Sequence, residues 1–269
     1  RYSVAIGYQA GRVENGGGLN TFVGAFSGLS NTTGSCNTFI GFNAGKSNTT
    51  GLQNINIGNN AGYTNTTGSC NTIIGAGAGY TQGTVSGNTI IGFSAGRITT
   101  SPSNTFIGNL AGRGNTVGRN NLFIGDRSGF KNNDGNNNIT IGNNAGYNNL
   151  TGDNNITIGN NAGYSNLGNS NIFIGYNSGY NNTIGEYNTL IGYQTGIGLT
   201  QGQQNTFIGF EAGRYTTTGA ENICIGVQTG YSLTVGTANI FIGFQTGFSN
   251  NTGIENIFIG DYAAYSNTN

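Results

Sequence analysis

Acidic side chains are the first place to look for catalysis, and the chain has nine: Glu14, Asp126, Asp134, Asp153, Glu186, Glu211, Glu221, Glu255 and Asp261. Each stands alone. None has the paired-carboxylate spacing of a glycosidase or the loop spacing of a calcium site. His and Met are absent, which removes common metal ligands and the usual general base. Gly-x-Gly strings such as Gly75-Ala-Gly77-Ala-Gly79 abound, but none opens a helix, so a phosphate-binding loop is not expected. No cofactor, metal or catalytic residue is assigned, and an enzyme is not expected. Cys36 and Cys70 hold equivalent positions two repeats apart, about 10 Å at the spacing of stacked strands, beyond disulfide reach. Cys224 sits in another position. Free buried thiols are the expectation, with pairing between chains as the alternative.

Composition narrows the partners. Net charge is zero, only 7% of residues are charged, and the basic residues are scattered, so no nucleic-acid footprint exists. The longest apolar stretches are three or four residues, as in Ile240-Phe-Ile242, too short for membrane insertion by a helix. The chain begins at Arg1 without Met or a signal-peptide pattern, and is expected to be a processed or trimmed piece. Fifty-one glycines and abundant Asn would suggest low complexity, but 14 Tyr and 15 Phe at regular spacing argue otherwise.

The elements that must position these residues form an internal repeat. Glycines 7, 24, 41, 58, 75, 92, 108, 125, 142, 159, 175, 192, 209, 226, 243 and 260 recur at 17 residues, or 16 in two intervals. Positions are named below by their offset from this reference Gly. The residue before it (offset −1) is Ile in fifteen copies and Val23 in the other; offset −4 is Asn in fifteen, with Ser3 the exception. Offset +3 is always Ala, Ser or Thr, offset +4 is Gly in fifteen copies, and a further Gly usually stands at −7. Three glycines in 17 residues exclude a pair of packed helices. Runs such as Asn-Thr-Phe-Ile-Gly, β-branched and aromatic with period two, suit a short strand. The expected fold is all-β: a parallel β-solenoid, or β-roll, of sixteen coils with 16–17 residues each, one domain over 1–269. The residue missing from the two shorter units falls in the outer turn, where Pro102 also sits.

Each column predicts a role. The offset −1 residues Ile40, Ile57, Ile74, Ile91, Ile107, Ile124, Ile141 and Ile158 are assigned to the coil's own core. The offset −4 residues Asn37, Asn54, Asn71, Asn88, Asn104 and Asn121 are assigned to a hydrogen-bonded ladder. Offset −2 points the other way along the strand. There Phe22, Phe39, Phe106, Phe123, Phe173, Phe207, Phe241 and Phe258 are too apolar to lie in water. They are expected to pack against other chains in a homo-oligomer, or, as a lesser alternative, on a second extended segment of their own coil. The aromatic row at offset +5, from Tyr63 to Tyr265, could stack sugars; its unbroken course favours a structural ladder. Sequons such as Asn31-Thr-Thr, Asn48-Thr-Thr and Asn65-Thr-Thr are placed in the outer turn.

The stretches Asn37 to Gly51 and Asn54 to Gly68 carry Asn-x-x-Ile-Gly-x-x-Ala-Gly followed by a polar turn. This unit resembles the head repeats of YadA-like trimeric autotransporter adhesins. It looks closer still to the Asn-Thr-Phe-Ile-Gly-x-x-Ala-Gly arrays of bacterial tail-fibre-domain proteins. The resemblance spans the whole chain and implies a left-handed, trimeric roll in an extracellular or cell-surface location. The unit is longer than the YadA-like one, and the sequence contains no coiled-coil stalk, membrane anchor or tail-fibre chaperone domain. The expected function is a structural shaft or head segment of a trimeric adhesin or fibre, with a cell-surface or glycan receptor that the resemblance does not name. The alternative is a filament subunit that polymerises by end-to-end stacking of solenoids, since neither end carries a cap. A glycan- or ice-binding solenoid is weaker, because the best Thr column, Thr21 to Thr206 at offset −3, shares the Ile face expected to be buried.

Overall fold

The computed structural model describes residues 2–269; Arg1, where the sequence begins, lies outside the described residues. The chain is an all-β parallel solenoid in which every coil contributes one three-residue strand, and no helix occurs among the described residues. It divides into two compact units that meet in sequence at Asp134 and Gly135. The first holds eight strands, from β1 (Val4–Ile6) to β8 (Leu122–Ile124), each paired in parallel with the next. The second holds eight more, from β9 (Ile139–Ile141) to β16 (Ile257–Ile259), paired in the same way. The register advances by one repeat per rung: Thr38, Phe39 and Ile40 lie beside Ile55, Asn56 and Ile57. Backbone bonds run in both directions along the stack. Gly41 N–H donates to the Val23 carbonyl at 2.7 Å, and Gly45 N–H to the Ala61 carbonyl at 3.0 Å.

The facing of the strand corrects the sequence expectation. Its middle residue points inward: Phe22, Phe39, Ile73, Ile90, Phe106, Phe173, Leu190, Phe207 and Phe241 have no exposed surface, and Phe123 has 1%. Phe258 is partly buried and packs on the same core. The eight Phe residues assigned to an oligomer interface are therefore core residues of their own coils. The Ile column assigned to the core faces outward. Ile40 is 37% exposed, and Ile57, Ile74, Ile91, Ile107, Ile124, Ile141 and Ile158 are half-buried. The reason is the width of the roll. A coil this thin leaves room for one strand side chain, opposite a wall of small offset +3 residues such as Ala44, Ala61, Ala78 and Ala95. The lesser alternative, packing within the coil, describes the Phe column correctly in that respect.

Two Gly columns make the thinness possible. The reference Gly adopts φ between 121° and 140°, and a Cβ on Gly41 would meet the Gly58 carbonyl oxygen at 2.6 Å. The offset +4 Gly lies in the left-handed region, and a Cβ on Gly45 (φ +55°) would meet the Phe39 ring at 2.6 Å. Gly45→Ala is expected to destabilise the fold by about 2–4 kcal/mol, combining left-handed strain with overpacking. A chemical denaturation midpoint unchanged from wild type would show that this contact is relaxed.

Candidate functional site

The interior is built from polar ladders as much as from apolar ones. At offset −4, Asn54 N–H donates to Asn37 Oδ1 at 2.9 Å, and Asn54 Nδ2 reaches the Gly68 carbonyl at 2.8 Å. Asn54 Oδ1 then accepts Asn71 N–H at 3.0 Å. Each such Asn thus ties three successive coils together. Asn37, Asn71, Asn88 and Asn104 repeat the pattern, and Asn121 N–H donates to Asn104 Oδ1 at 3.0 Å. All six residues of the expected ladder are buried.

A second inner ladder, not among the sequence expectations, stands at offset +7. Asn31 and Asn48 donate to the carbonyls of Gly34 and Gly51 at 3.0 and 3.2 Å, and Asn48 Nδ2 also reaches Asn31 Oδ1 at 2.7 Å. Asn31, Asn48 and Asn65 have no exposed surface. The sequons placed in the outer turn therefore present inward, hydrogen-bonded amides, closed to glycosylation while the chain is folded. The signal was available as a repeated Asn-x-x-Gly, but the polar run around it concealed it.

The thiols also differ from expectation. All three are free, yet Cys36 and Cys70 are exposed, the latter donating to Gln53 Oε1 at 3.4 Å. Cys224 is fully buried at an offset −2 position, and burial pushes its thiol well above the ordinary range.

Glu211 is bound to Arg214 and accepts from Gln228 Nε2 at 2.9 Å; Gln228 Oε1 in turn accepts from Gln245 at 2.7 Å. The Arg214 guanidinium lies over Tyr215 and Tyr231, 5.6 and 6.0 Å from the ring centres. A hydrogen bond from Tyr231, then Arg214, holds the Tyr215 phenol below its ordinary value. The carboxylate is held within this surface network. An open groove of about 480 Å³ beside Tyr215 is lined by hydroxyls and amides, including Ser232, Thr234 and Asn251. Among the described residues, no three His, Cys, Asp or Glu converge on a common point, and no helix is long and apolar enough to cross a membrane.

The offset +5 aromatics form parallel stacks: Tyr63 on Tyr80 at 4.9 Å, Tyr164 between Tyr147 and Tyr180 at 5.1 and 4.9 Å, and Phe248 between Tyr231 and Tyr265 at 4.8 and 5.0 Å. Ring faces inside each stack are covered by neighbouring rings, so the row presents mainly edges, whereas sugar stacking requires an open face.

Within each unit the outward side of the strands forms an apolar and hydroxyl-bearing face. It carries the offset −1 Ile column and, at offset −3, Thr21, Thr38, Thr72, Thr89, Thr105, Thr189 and Thr206 interspersed with Ile. Exposed aromatics border it, with Tyr176, Tyr193 and Phe210 stacked at 5.3 and 5.2 Å and each more than 40% exposed. The strands themselves contain no charged residue. The chain's class is thus a β-solenoid repeat protein with a largely hydrogen-bonded Asn ladder inside and an apolar, uncharged outer sheet face. Searches against protein-family models, curated proteins and solved structures return no match.

One contrast tests the interior. Asn56, at offset −2, is fully buried beside Phe39 with neither amide atom hydrogen-bonded. Asn54→Ala is expected to cost about 2–4 kcal/mol by orphaning buried partners, whereas Asn56→Leu is expected to gain about 1–3 kcal/mol. Denaturant titration of both variants measures the opposite signs.

Proposed function

We propose that the chain is a non-enzymatic structural segment, a shaft or head, of an extracellular or cell-surface fibre or trimeric adhesin. In this proposal copies associate through the outward Ile face. The observation that carries it is the uniform, uncharged strip of Ile at offset −1, flanked by Thr or Ile at −3. An apolar strip of this extent is costly to leave in water, and a second copy presents a matching surface. The repeat resemblance supports a left-handed homotrimer as the assembled form, with the receptor, a cell-surface group or glycan, contacted elsewhere. End-to-end stacking into a filament is the alternative within the same class.

Solution mass decides between them. A discrete trimer is expected, which dissociates to folded monomers in Ile74→Asp/Ile107→Asp. Open-ended polymers would favour the filament, and a wild-type monomer would sink both. Phe106→Asp, by contrast, is expected to unfold the coil.

A second reading, ice binding, is favoured by one observation. The Thr column at offset −3 lies half-buried on the outward face rather than in the core. On this reading the folded chain inhibits ice recrystallisation, and Thr89→Lys/Thr105→Lys abolishes the effect. Ice growth indifferent to the wild-type chain rejects it.

A further inference from the structure

We propose that the stacked pair Tyr63 and Tyr80 is an oxidative cross-linking site, at which a haem peroxidase with hydrogen peroxide joins two neighbouring coils through a dityrosine bond. This inference is independent of the proposed assembly. The two rings lie 4.9 Å apart with an interplanar angle of 0°, stacked one rung apart in the same column. Both side chains are half-buried at the surface, open to an oxidant yet held in place. Cations close the outer faces of the pair. Lys46 Nζ lies 5.3 Å from the Tyr63 ring centre and donates to its hydroxyl at 3.3 Å, while the Arg97 guanidinium lies 5.2 Å over Tyr80. The remaining face of each ring meets only the other ring. Tyr147, Tyr164 and Tyr180 repeat this parallel geometry, whereas Tyr215 and Tyr231 meet edge-on at 89°.

The chemistry balances. Each phenol loses one electron and its hydroxyl proton to become a phenoxyl radical, and one peroxide is reduced to two waters. The radicals couple through their ortho carbons. Each ring then passes the displaced ring hydrogen to its oxygen, restoring both phenols. The net change is one new carbon–carbon bond and the loss of two hydrogens. The product staples two rungs of the solenoid covalently, at a point where the chain contains no disulfide.

Tryptic cleavage after Lys46 and Arg97 releases peptide 47–97, whose only tyrosines are Tyr63 and Tyr80. After peroxidase treatment of the folded chain, this peptide is expected to lose the mass of two hydrogens and gain dityrosine fluorescence. It should also stop yielding fragment ions between positions 63 and 80. Tyr80→Phe, which places in the column a ring already present at Phe130 and Phe248, is expected to keep the fold and abolish all three signals. Urea-unfolded chain should lose most of the coupling. The proposal is overturned if dityrosine forms only between chains, if it forms only at exposed Tyr2, Tyr187 or Tyr262, or if Tyr80→Phe still yields the looped peptide.

Discussion

The structure depends on buried asparagine amides hydrogen-bonded along the stack. A coil with one three-residue strand spends most of its length bending, and its bends turn carbonyls inward. Buried backbone groups must find partners, and the Phe-lined interior supplies none. Asn meets the need because one short side chain carries both a donor and an acceptor. Asn37 receives Asn54 N–H on one atom and reaches the Gly51 carbonyl with the other. Asp would lack the donor and bury a charge. Since the offset −4 Asn residues bond across to adjacent coils, the ladder also fixes register. A one-residue slip would break it and turn the strand's inner side chain outward.

Tight packing follows from the same geometry. The two 16-residue coils keep the ladder intact, with Asn104 and Asn171 N–H each donating at 2.9 Å to Asn88 and Asn155. The deletion is absorbed on the outer side, where no ladder bond is lost. In the first of these coils Ser101 replaces the usual Gly at offset −7, and its buried hydroxyl bonds the Gly118 carbonyl. Position −2 likewise varies among Phe, Ile, Leu, Thr, Asn, Cys and Ala. The small Cys224 shares its cluster with Leu233, a leucine standing where most coils have Asn. The interior therefore holds its polar scaffold nearly constant and lets the apolar filling change.

The period, the strand positions and the inward Asn at −4 were legible because each leaves a mark in one-dimensional spacing. The facing of the strand was not. Alternation over three residues separates two faces without saying which is inside. Uniformity of the Ile column suggested a core, whereas coil width in fact admits Phe22 or Phe39 and leaves Ile40 outside. The Asn31 and Asn48 ladder was hidden for a different reason. Polar runs read as solvated, and only the closed path of the coil brings their amides into the interior. Cys36 and Cys70 were expected to be buried like most free thiols, but they occupy left-handed bend positions at the surface (φ +59° and +57°).

The inversion of the two columns bears directly on assembly. An inward residue is selected by the shape of a cavity, and cavities tolerate substitutions that trade volume between neighbours. An outward residue on a monomeric surface is selected weakly, and surface positions ordinarily drift toward polar types. The outward offset −1 column does neither: it is Ile in fifteen coils and Val in the other, more uniform than the core it covers. Packing of β-branched side chains along the stack accounts for a preference, since each Ile shields the next. It does not account for near-identity, because offset −3, which varies among Thr, Ile, Leu and Val, packs on the same rungs without it. A flat counter-surface repeating at the same rung spacing would impose such uniformity, because one protruding or charged residue would disrupt contact over several rungs. That requirement is why the proposed association is placed on the Ile face, and why a second copy with an identical repeat is its simplest occupant.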